Sequence, residues 1–483
     1  MSLSETKSEF LIISPEWELR RNGTRAILLD RDPHKPGYLI LDQPRTLILS
    51  LFNGNRSAID VATMIAYLLD VPVIQADQLV NDTIKWVNKD GNLCLMPRNA
   101  VRDRDVVTYS TEALLGQSHS LEHPRRLEVP ISLNITLTHR CQTCCRYCYA
   151  ERRHIEVADE LPLSLWLETI DQAADLGIDR VGLLGGDELA RPDALDIFRR
   201  LVERGFWFFV STKCHISHDT AARLADIGLG ERRIQISIDA PIPEVADFLV
   251  GSVGFLDRVV DSLKNLLDCG LAVRAKAVLT PYNARLAPRL IQFLYDMGIR
   301  EIQLIDYGRS HYFHGDDLFV DPADSAWVAE QVDKIRAEQP DVEIIYGAQA
   351  RDAARSTRMQ PSMEERCETW LRRSRCSGGA SSMSIAPDGL VFLCEQIPQI
   401  PEHFVGDVRR QTIIEVWNSD HLLNYIYPER EHFIGSPCYD CDQFNDCHRG
   451  NGHCFRDALF AYGSRYLPPP LCPKALLGAP RLY

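Results

Sequence analysis

Hydrophobic and polar positions change rhythm three times along the chain. In residues 1–100, short apolar runs come first and helical repeats follow. Glu18 to Arg31 reads as strand, turn and strand, with the turn at Asn22-Gly23, and Gly37 to Leu41 reads as a further strand. Three helical patterns come next, at Thr46 to Phe52, from Ser57 to near Asp70, and at Gln75 to Asp90. Asn53-Gly54-Asn55-Arg56 reads as the turn between the first two. Ser57 with Asp60 three residues on is close to a capping box, and Gly91 is the expected stop of the third helix. This order describes a winged-helix-like α+β domain. Residues 101–128 carry charge without period and read as a linker.

From Ile131 the pattern alternates strand and helix. Strands are expected at Ile131 to Thr136, Arg180 to Leu184, Trp207 to Ser211, Arg233 to Asp239, Ala272 to Thr280 and Glu301 to Tyr307. Helical periodicity fills the gaps, as in Phe255 to Cys269 and Ala287 to Met297. Six such units predict an α/β fold over residues 129–345, a parallel sheet curved into a partial (β/α)6 TIM-like barrel. Functional residues of such sheets gather at the carboxyl ends of the strands. Beyond residue 345 the alternation stops, and residues 346–483 are loop-rich and Cys-rich.

A length of 483 residues fits about three domains. A composition 45% hydrophobic and 25% charged is that of a globular protein and excludes wholesale disorder. The net charge is −14, and residues 1–100 balance 11 basic against 12 acidic side chains, which argues against nucleic acid as a partner. No apolar run approaches the ~20 residues of a membrane span. The polar start, Met1-Ser2-Leu3-Ser4-Glu5-Thr6-Lys7, is unlike a secretion signal. A cytoplasmic protein is expected, without a membrane partner. Fifteen cysteines in such a chain point to metal rather than to disulfides. They concentrate at 141–148 and at 367–472, and clustered thiolates suit zinc or iron–sulfur clusters.

The first group follows the first barrel strand directly. Cys141, Cys145 and Cys148 form C-x3-C-x2-C. Three thiolates on one loop can hold three irons of a [4Fe–4S] cluster and leave the fourth open; with His139 as a fourth ligand, the same loop could hold zinc. Tyr147 before the last Cys, and Gly185-Gly186-Asp187 after the second strand, resemble the radical S-adenosylmethionine (SAM) superfamily, which usually has Gly-Gly-Glu there. Ser211-Thr212 after the third strand, and Ser237 and Asp239 at the end of the fourth, match further SAM-contacting regions of that family. The resemblance implies that SAM chelates the open iron and is cleaved to a 5′-deoxyadenosyl radical, which abstracts hydrogen from an unactivated C–H bond. Cys144, Cys94, Cys214 and Cys269 read as bystanders.

The second group runs Cys376-x12-Gly389-x4-Cys394, then Cys438-x2-Cys441-x5-Cys447, then Cys454 and Cys472, with Cys367 upstream. It resembles the SPASM extension of radical SAM peptide-modifying enzymes. That family's ligation would give Cys367, Cys376, Cys394 and Cys454 to one auxiliary [4Fe–4S] cluster, and Cys438, Cys441, Cys447 and Cys472 to a second, three clusters in all. The family commonly has C-x3-C where this chain has Cys447-x6-Cys454. Asp388-Gly389 reads as a hairpin turn that brings Cys376 and Cys394 together. A pair of zinc sites is the alternative for these thiols.

The N-terminal domain resembles the PqqD-like recognition element of RiPP (ribosomally made, post-translationally modified peptide) maturases, which binds a leader peptide by strand addition at a sheet edge. Ile305-Asp306-Tyr307-Gly308-Arg309-Ser310 is similar to the thioether-forming members. The expected function is therefore radical modification of a precursor peptide, forming Cys thioether cross-links, with a flavodoxin or ferredoxin as electron donor. The alternatives are carbon–carbon cross-linking, epimerisation, oxidation of a sulfatase-type residue, and a zinc-containing winged-helix binding protein.

Overall fold

The computed structural model describes residues 9–32, 37–89, 93–115, 126–150, 157–231, 234–346, 362–373, 376–476, 478 and 482. The chain divides into two compact units, Met1–Val129 and Pro130–Tyr483.

The first unit holds two three-stranded antiparallel sheets. Its strands are β1 (Phe10–Ile13), β2 (Trp17–Asn22), β3 (Arg25–Asp30), β4 (Tyr38–Leu41), β5 (Asn53–Ser57) and β6 (Leu95–Pro97), in the orders β5-β1-β6 and β2-β3-β4. Its helices are α1 (Gln43–Leu51), α2 (Ala58–Leu69), α3 (Val73–Val87) and α4 (Thr111–Leu114). The β2–β3 hairpin turns at Gly23, and Ser57 and Asp60 complete the capping box of α2. Leu28, Ile48, Phe52, Val61, Ile65 and Val80 lie in one core that joins both layers.

Two readings change here. Asn53 to Arg56 is not a turn but part of β5, which pairs with β1. That pairing is invisible in the local pattern, because β1 is a four-residue apolar run with no alternation. Part of the expected linker also belongs to this unit. The Thr111 hydroxyl bonds that of Ser50 at 2.7 Å, Leu114 joins the core, and Glu128 accepts from the Thr24 amide at 2.6 Å and hydroxyl at 2.7 Å. The expected helix stop at Gly91 lies outside the described residues.

The second unit is built on a parallel sheet. Its strands are β7 (Ser132–Ile135), β8 (Arg180–Leu183), β9 (Val210–Thr212), β10 (Ile234–Ser237), β11 (Val273–Leu279), β12 (Glu301–Asp306) and β13 (Glu343–Ile345). A single bridge between Arg180 and Trp207 joins the β7–β8 part to the β9–β13 part, so the third strand is ladder-paired only from Val210. Arg233, the expected start of the fourth strand, lies outside the described residues. The covering helices are α5 (Leu163–Asp175), α6 (Ala194–Glu203), α7 (His218–Asp226), α8 (Pro243–Val250), α9 (Phe255–Asp268), α10 (Ala287–Asp296) and α11 (Pro322–Glu338). They bury apolar stripes such as Ile197, Phe198 and Leu201 of α6, as a 3.6-residue period dictates.

The sheet outgrows six strands at both ends. β13 adds a seventh parallel strand beside β12. From the Cys-rich segment, β14 (Ser382–Ile385) runs parallel to β7, with Ser382 opposite Ser132 and Ile385 opposite Ile135. β14 turns through Gly389, at φ +87°, into β15 (Leu390–Phe392), which pairs with β16 (Gly406–Asp407). This is the hairpin expected at Asp388-Gly389. Before it lies α12 (Met363–Leu371). The Cys-rich region is thus hydrogen-bonded into the barrel sheet beside the strand that carries the first cysteine group.

Candidate active site

β7 ends in the loop that bears Cys141, Cys144, Cys145 and Cys148. The end of α8 holds this loop in place. The amides of Cys144 and Arg146 donate to the carbonyls of Val250 and Leu249 at 2.8 and 2.9 Å. The Arg146 guanidinium donates to the Phe248 carbonyl at 3.1 Å and lies 3.9 Å over the Phe248 ring. Gly251, at φ +62°, makes the approach possible, because a Cβ there would stand 2.8 Å from the Cys144 carbonyl oxygen. From the opposite side the Ser310 hydroxyl donates to the Cys148 carbonyl at 3.0 Å.

Burial pushes the Cys141 thiol up to about 12, with Asp187, Cys148 and Cys145 adding to the shift. Burial likewise raises Cys145, against Lys213, which lowers it. Cys141 thus feels both other thiols of the motif, and Cys145 is raised in part by Cys148. Three such thiols on one pinned loop become stable thiolates when a cationic centre takes them together. Their donor chemistry fits three irons of a cubane with one iron uncapped. Cys141 and Cys144 are both exposed, Cys145 is buried and Cys148 is half-buried.

Alternate strand residues face opposite sides of the sheet. Ile234, Ile236 and Ile238 are buried on one side, while Gln235, Ser237 and Asp239 alternate with them. The register sets Ser211, Gln235, Arg274 and Glu301 in one row and Ser237, Lys276 and Gln303 in the next. The first row is internally bonded: Gln235 Nε2 donates to Ser211 Oγ at 2.7 Å, and Arg274 pairs with Glu301. Nearer the Cys loop, Asp239 accepts from the Tyr147 hydroxyl and from the Val278 amide at 2.9 Å. Lys213 lies 5.6 Å from the Tyr147 ring. Burial alone would lower Lys213, but Cys145, Asp239, Cys148 and Asp187 around it raise it. Lys276 is lowered by burial and then by Lys213 and Arg274. Among the described residues, neither lysine ammonium donates a hydrogen bond to a side chain or carbonyl. Lys213 thus stands among the Cys-loop thiols, Asp239 and Asp187, with Lys276 near enough to be lowered by it.

The Gly185-Gly186-Asp187 segment is built differently from its expected role. Gly185 has φ +99° and packs on Thr136, and a Cβ on Gly186 would meet the carbonyls of Thr138 and Arg140 at 2.6 Å. Asp187 is buried, and both its oxygens are taken. It accepts from the Thr212 hydroxyl at 2.7 and 2.9 Å and from the amides of Lys213, Cys214 and Leu189 at 2.6, 3.0 and 3.2 Å. Its carboxylate thus ties the β8 loop to the β9 loop, and the buried Cys214 sits within that knot. The neighbouring Glu188 is buried too, accepts from the Ser211 amide at 2.5 Å and is pushed up to about 8, by burial first and by Asp187 second.

Glu188 makes a pH prediction. The folded protein keeps a proton that the unfolded chain releases near ~4.3. Stability from this group is full below that pH and is lost as pH rises towards 8. Glu188→Gln is expected to flatten the decline of Tm between about pH 5 and 8, read by thermal unfolding across that range. A decline of unchanged slope in the variant would assign it to other groups.

The C-terminal thiols fall into two groups by mutual influence. Cys376 raises both Cys394 and Cys454, each pushed up first by burial, Cys454 to about 11. Cys472, Cys441 and Cys447 raise Cys438, again behind burial, to about 11, and Cys441 and Cys447 raise Cys472. Cys367 lies upstream of both. It lies on α12, whose Arg366 donates to the carbonyls of Cys472 at 2.7 Å and Pro470 at 3.3 Å. Arg373, just past α12, donates to Cys447 Sγ at 3.6 Å. Arg373 also donates to the Gly452 carbonyl at 2.9 Å, two residues before Cys454, so the end of α12 reaches the segments of both groups. One cavity has Cys376 and Cys447 both in its wall.

Comparison with known families decides the chemistry. Residues 135–284 match the model of the Radical SAM superfamily, and residues 376–442 match SPASM, described as an iron-sulfur cluster-binding domain. The chain carries a radical SAM domain and a SPASM domain. The two domains support iron–sulfur clusters and SAM as its cofactors. The chain is 25% identical over 352 residues to a PqqA peptide cyclase of Ruegeria pomeroyi, covering 72% of this chain and 88% of that protein. SuiB of Streptococcus suis bound to S-adenosylmethionine superimposes with a TM-score of 0.61 at 17% identity, covering 95% of this chain and 99% of that one. SuiB bound to its precursor peptide SuiA gives 0.60 at 16% identity, covering 96% and 99%. The TIM-like radical SAM fold agrees with these neighbours. No helix among the described residues is long and apolar enough to cross a membrane.

Sequence reasoning missed Lys213, Lys276 and Glu188. Lys213 and Glu188 sit one residue beyond positions that motifs marked, at Thr212 and Asp187. Lys276 carries no local signal, because only the register of β10 against β11 brings it beside Ser237.

Proposed function

We propose that this protein is a maturase of a ribosomally made precursor peptide that forms Cys thioether cross-links by radical SAM chemistry. The observation that carries it is the union, in one sheet-linked unit, of a three-thiol loop after β7 with two further thiol groups on either side of β14. One hydrogen-abstracting site with nearby one-electron sites suits an oxidative cross-link. The precursor-bound SuiB and the peptide cyclase of Ruegeria pomeroyi favour a peptide substrate. Because the latter is named a cyclase, a carbon–carbon ring closure is the second reading. Forming the thioether removes two hydrogens from the peptide, one as an atom from carbon and one as the thiol proton, and one electron must leave with them.

When bound, the clusters and SAM supply hydrogen-atom abstraction from unactivated C–H bonds and one-electron transfer. Cys141, Cys145 and Cys148 would hold the SAM cluster. Cys367, Cys376, Cys394 and Cys454, and Cys438, Cys441, Cys447 and Cys472, would hold two auxiliary [4Fe–4S] clusters. The SAM pocket would be lined by Tyr147, the backbone of Gly185 and Gly186, and Ser211, Thr212, Ser237 and Asp239. Asp187 would shape it through its bonds to the β9 loop rather than by reaching the ligand. Lys213 would face the SAM carboxylate. β4 ends the β2-β3-β4 sheet, an edge suited to pairing with a leader peptide. Its reductant would be a flavodoxin or ferredoxin of the cytoplasm.

Lys213→Met is expected to weaken SAM binding about tenfold or more, the worth of one charge-assisted hydrogen bond. Equilibrium binding to the reconstituted protein reads this, and unchanged affinity with the cluster intact would remove Lys213 from the pocket. The wider reading is tested by anaerobic reconstitution, with about twelve irons per chain and 5′-deoxyadenosine formed under dithionite as the expected result. About four irons would leave the radical site and remove the auxiliary clusters.

A further inference from the structure

The loop between β12 and α11 carries Ser310, His311 and Tyr312, and each of them reaches a different segment of the chain. The Ser310 hydroxyl lies 3.0 Å from the carbonyls of both Cys148 and Phe313, and it accepts from the Phe313 amide at 3.0 Å. The His311 ring stacks at 6.0 Å on that of Phe460, in the helix Phe455–Tyr462 that follows Cys454. The Tyr312 hydroxyl donates to the Ile397 carbonyl at 3.2 Å and accepts from the Gln399 amide at 3.1 Å. The Ile397 amide donates in turn to the Cys394 carbonyl at 3.3 Å. Gln396, beside Ile397, accepts from the Arg456 guanidinium, which stands 5.8 Å from the Phe460 ring. Residues 310–312, 394–399 and 454–460 thus close a ring of contacts, and the first of these segments also holds Cys148.

The strand ladder does not supply this link. β15 ends at Phe392, opposite Ser384, so Cys394 lies beyond the last rung. Residues 394–399 form neither strand nor helix, yet Ile397 and Gln399 are buried. Buried backbone groups of an irregular segment need partners. One phenol provides both an acceptor and a donor here, which an apolar ring of the same shape could not. Bonds to a carbonyl and to an amide two residues on fix where the segment sits along its own length, beyond merely covering it.

We propose that Tyr312 is a positioning residue. Through its hydroxyl it ties the chain that leaves Cys394 to the loop whose Ser310 holds Cys148, and so keeps the auxiliary thiols at one spacing from the three-thiol loop for electron transfer between them. This rests on the auxiliary-cluster reading above. Partners that lie outside the ligands themselves orient a metal site, and losing one commonly costs about 10- to 100-fold. A shift of about 1 Å between reacting groups is costly in the same way.

The test is Tyr312→Phe in the full chain, reconstituted anaerobically, which keeps the ring and removes only the hydroxyl. Tyr282→Phe is the control, because that hydroxyl bonds Asp317 of the same loop at 3.0 Å. Each protein is reduced with dithionite, freed of it by gel filtration and mixed with SAM alone. Each electron breaks one carbon–sulfur bond of SAM, leaving methionine and a radical that takes hydrogen from the medium to give 5′-deoxyadenosine. The first equivalent uses the electron already at the radical site, and later ones need electrons from the auxiliary sites. Tyr312→Phe should form the first equivalent at the parent rate and the later ones about tenfold more slowly, with iron unchanged at about twelve per chain. Hydrogen exchange of the 394–399 amides should rise about fivefold. Tyr282→Phe should match the parent in every readout. Later equivalents at the parent rate, a first equivalent slowed as much as the later ones, or loss of about four irons in the variant would each overturn the assignment, as would a parent with full iron that stops at one equivalent. A parent with about four irons would instead remove the auxiliary clusters themselves, and the reading on which this link rests.

Discussion

Cys145→Ala is expected to abolish 5′-deoxyadenosine formation and to lower iron by about four atoms per chain. The reason is local. The loop after β7 offers three thiols, fixed by the Val250, Leu249 and Ser310 contacts, and the fourth iron of its cluster must stay open for SAM. Removing one thiol leaves two, too few to retain a cubane that already lacks a fourth protein ligand. Burial and the crowding of like charges make this loop a poor home for bare thiolates, so the cluster and the loop geometry stabilise each other. Cys144→Ser is the control. Its side chain is exposed, while its backbone amide, which bonds Val250, is untouched by the change. Iron, sulfide and 5′-deoxyadenosine should match the parent in that variant. Cleavage retained in Cys145→Ala would mean that the cluster is held by other residues.

Asp187→Ala is expected to destabilise the protein by about 3–5 kcal/mol, even without clusters or SAM. One buried carboxylate satisfies a hydroxyl and three backbone amides there. Each donor stranded by its loss costs about 1–3 kcal/mol, with some recovered by local relaxation. Chemical denaturation of the apo protein reads this cost. SAM affinity should fall with it, because the Thr212–Cys214 backbone loses its anchor. If Asp187 instead served SAM alone, the apo protein would keep its stability and only SAM affinity would fall. Asp187→Asn separates the two further. It preserves volume and one acceptor, yet turns an NH2 group towards amide donors, so it should recover less than half of the lost stability.

Much of the barrel was legible because each strand and helix carries its own period. β8, β10, β11 and β12 fall where apolar runs and turn residues put them. The Cys loop was legible because its chemistry is local: three thiols within one eight-residue span, 141–148, soon after a strand. What escaped depends on distant pairing. β1 and β5 recognise each other across forty residues, and β14 joins β7 across some 250, and neither partner shows this in its own window. Asp187 shows the same limit at the site. A carboxylate after two glycines reads as a ligand contact, but its partners, Thr212 to Cys214, lie on the next strand.

The central claim is that the radical site acts on a peptide. The most direct measurement is a mass spectrum of the precursor peptide after anaerobic incubation with reconstituted protein, SAM and reductant. The expected result is a product lighter by two hydrogens, blocked to thiol alkylation at one cysteine, with 5′-deoxyadenosine formed in equal amount. 5′-Deoxyadenosine released while the peptide keeps its mass and all its free thiols would contradict the cross-linking function.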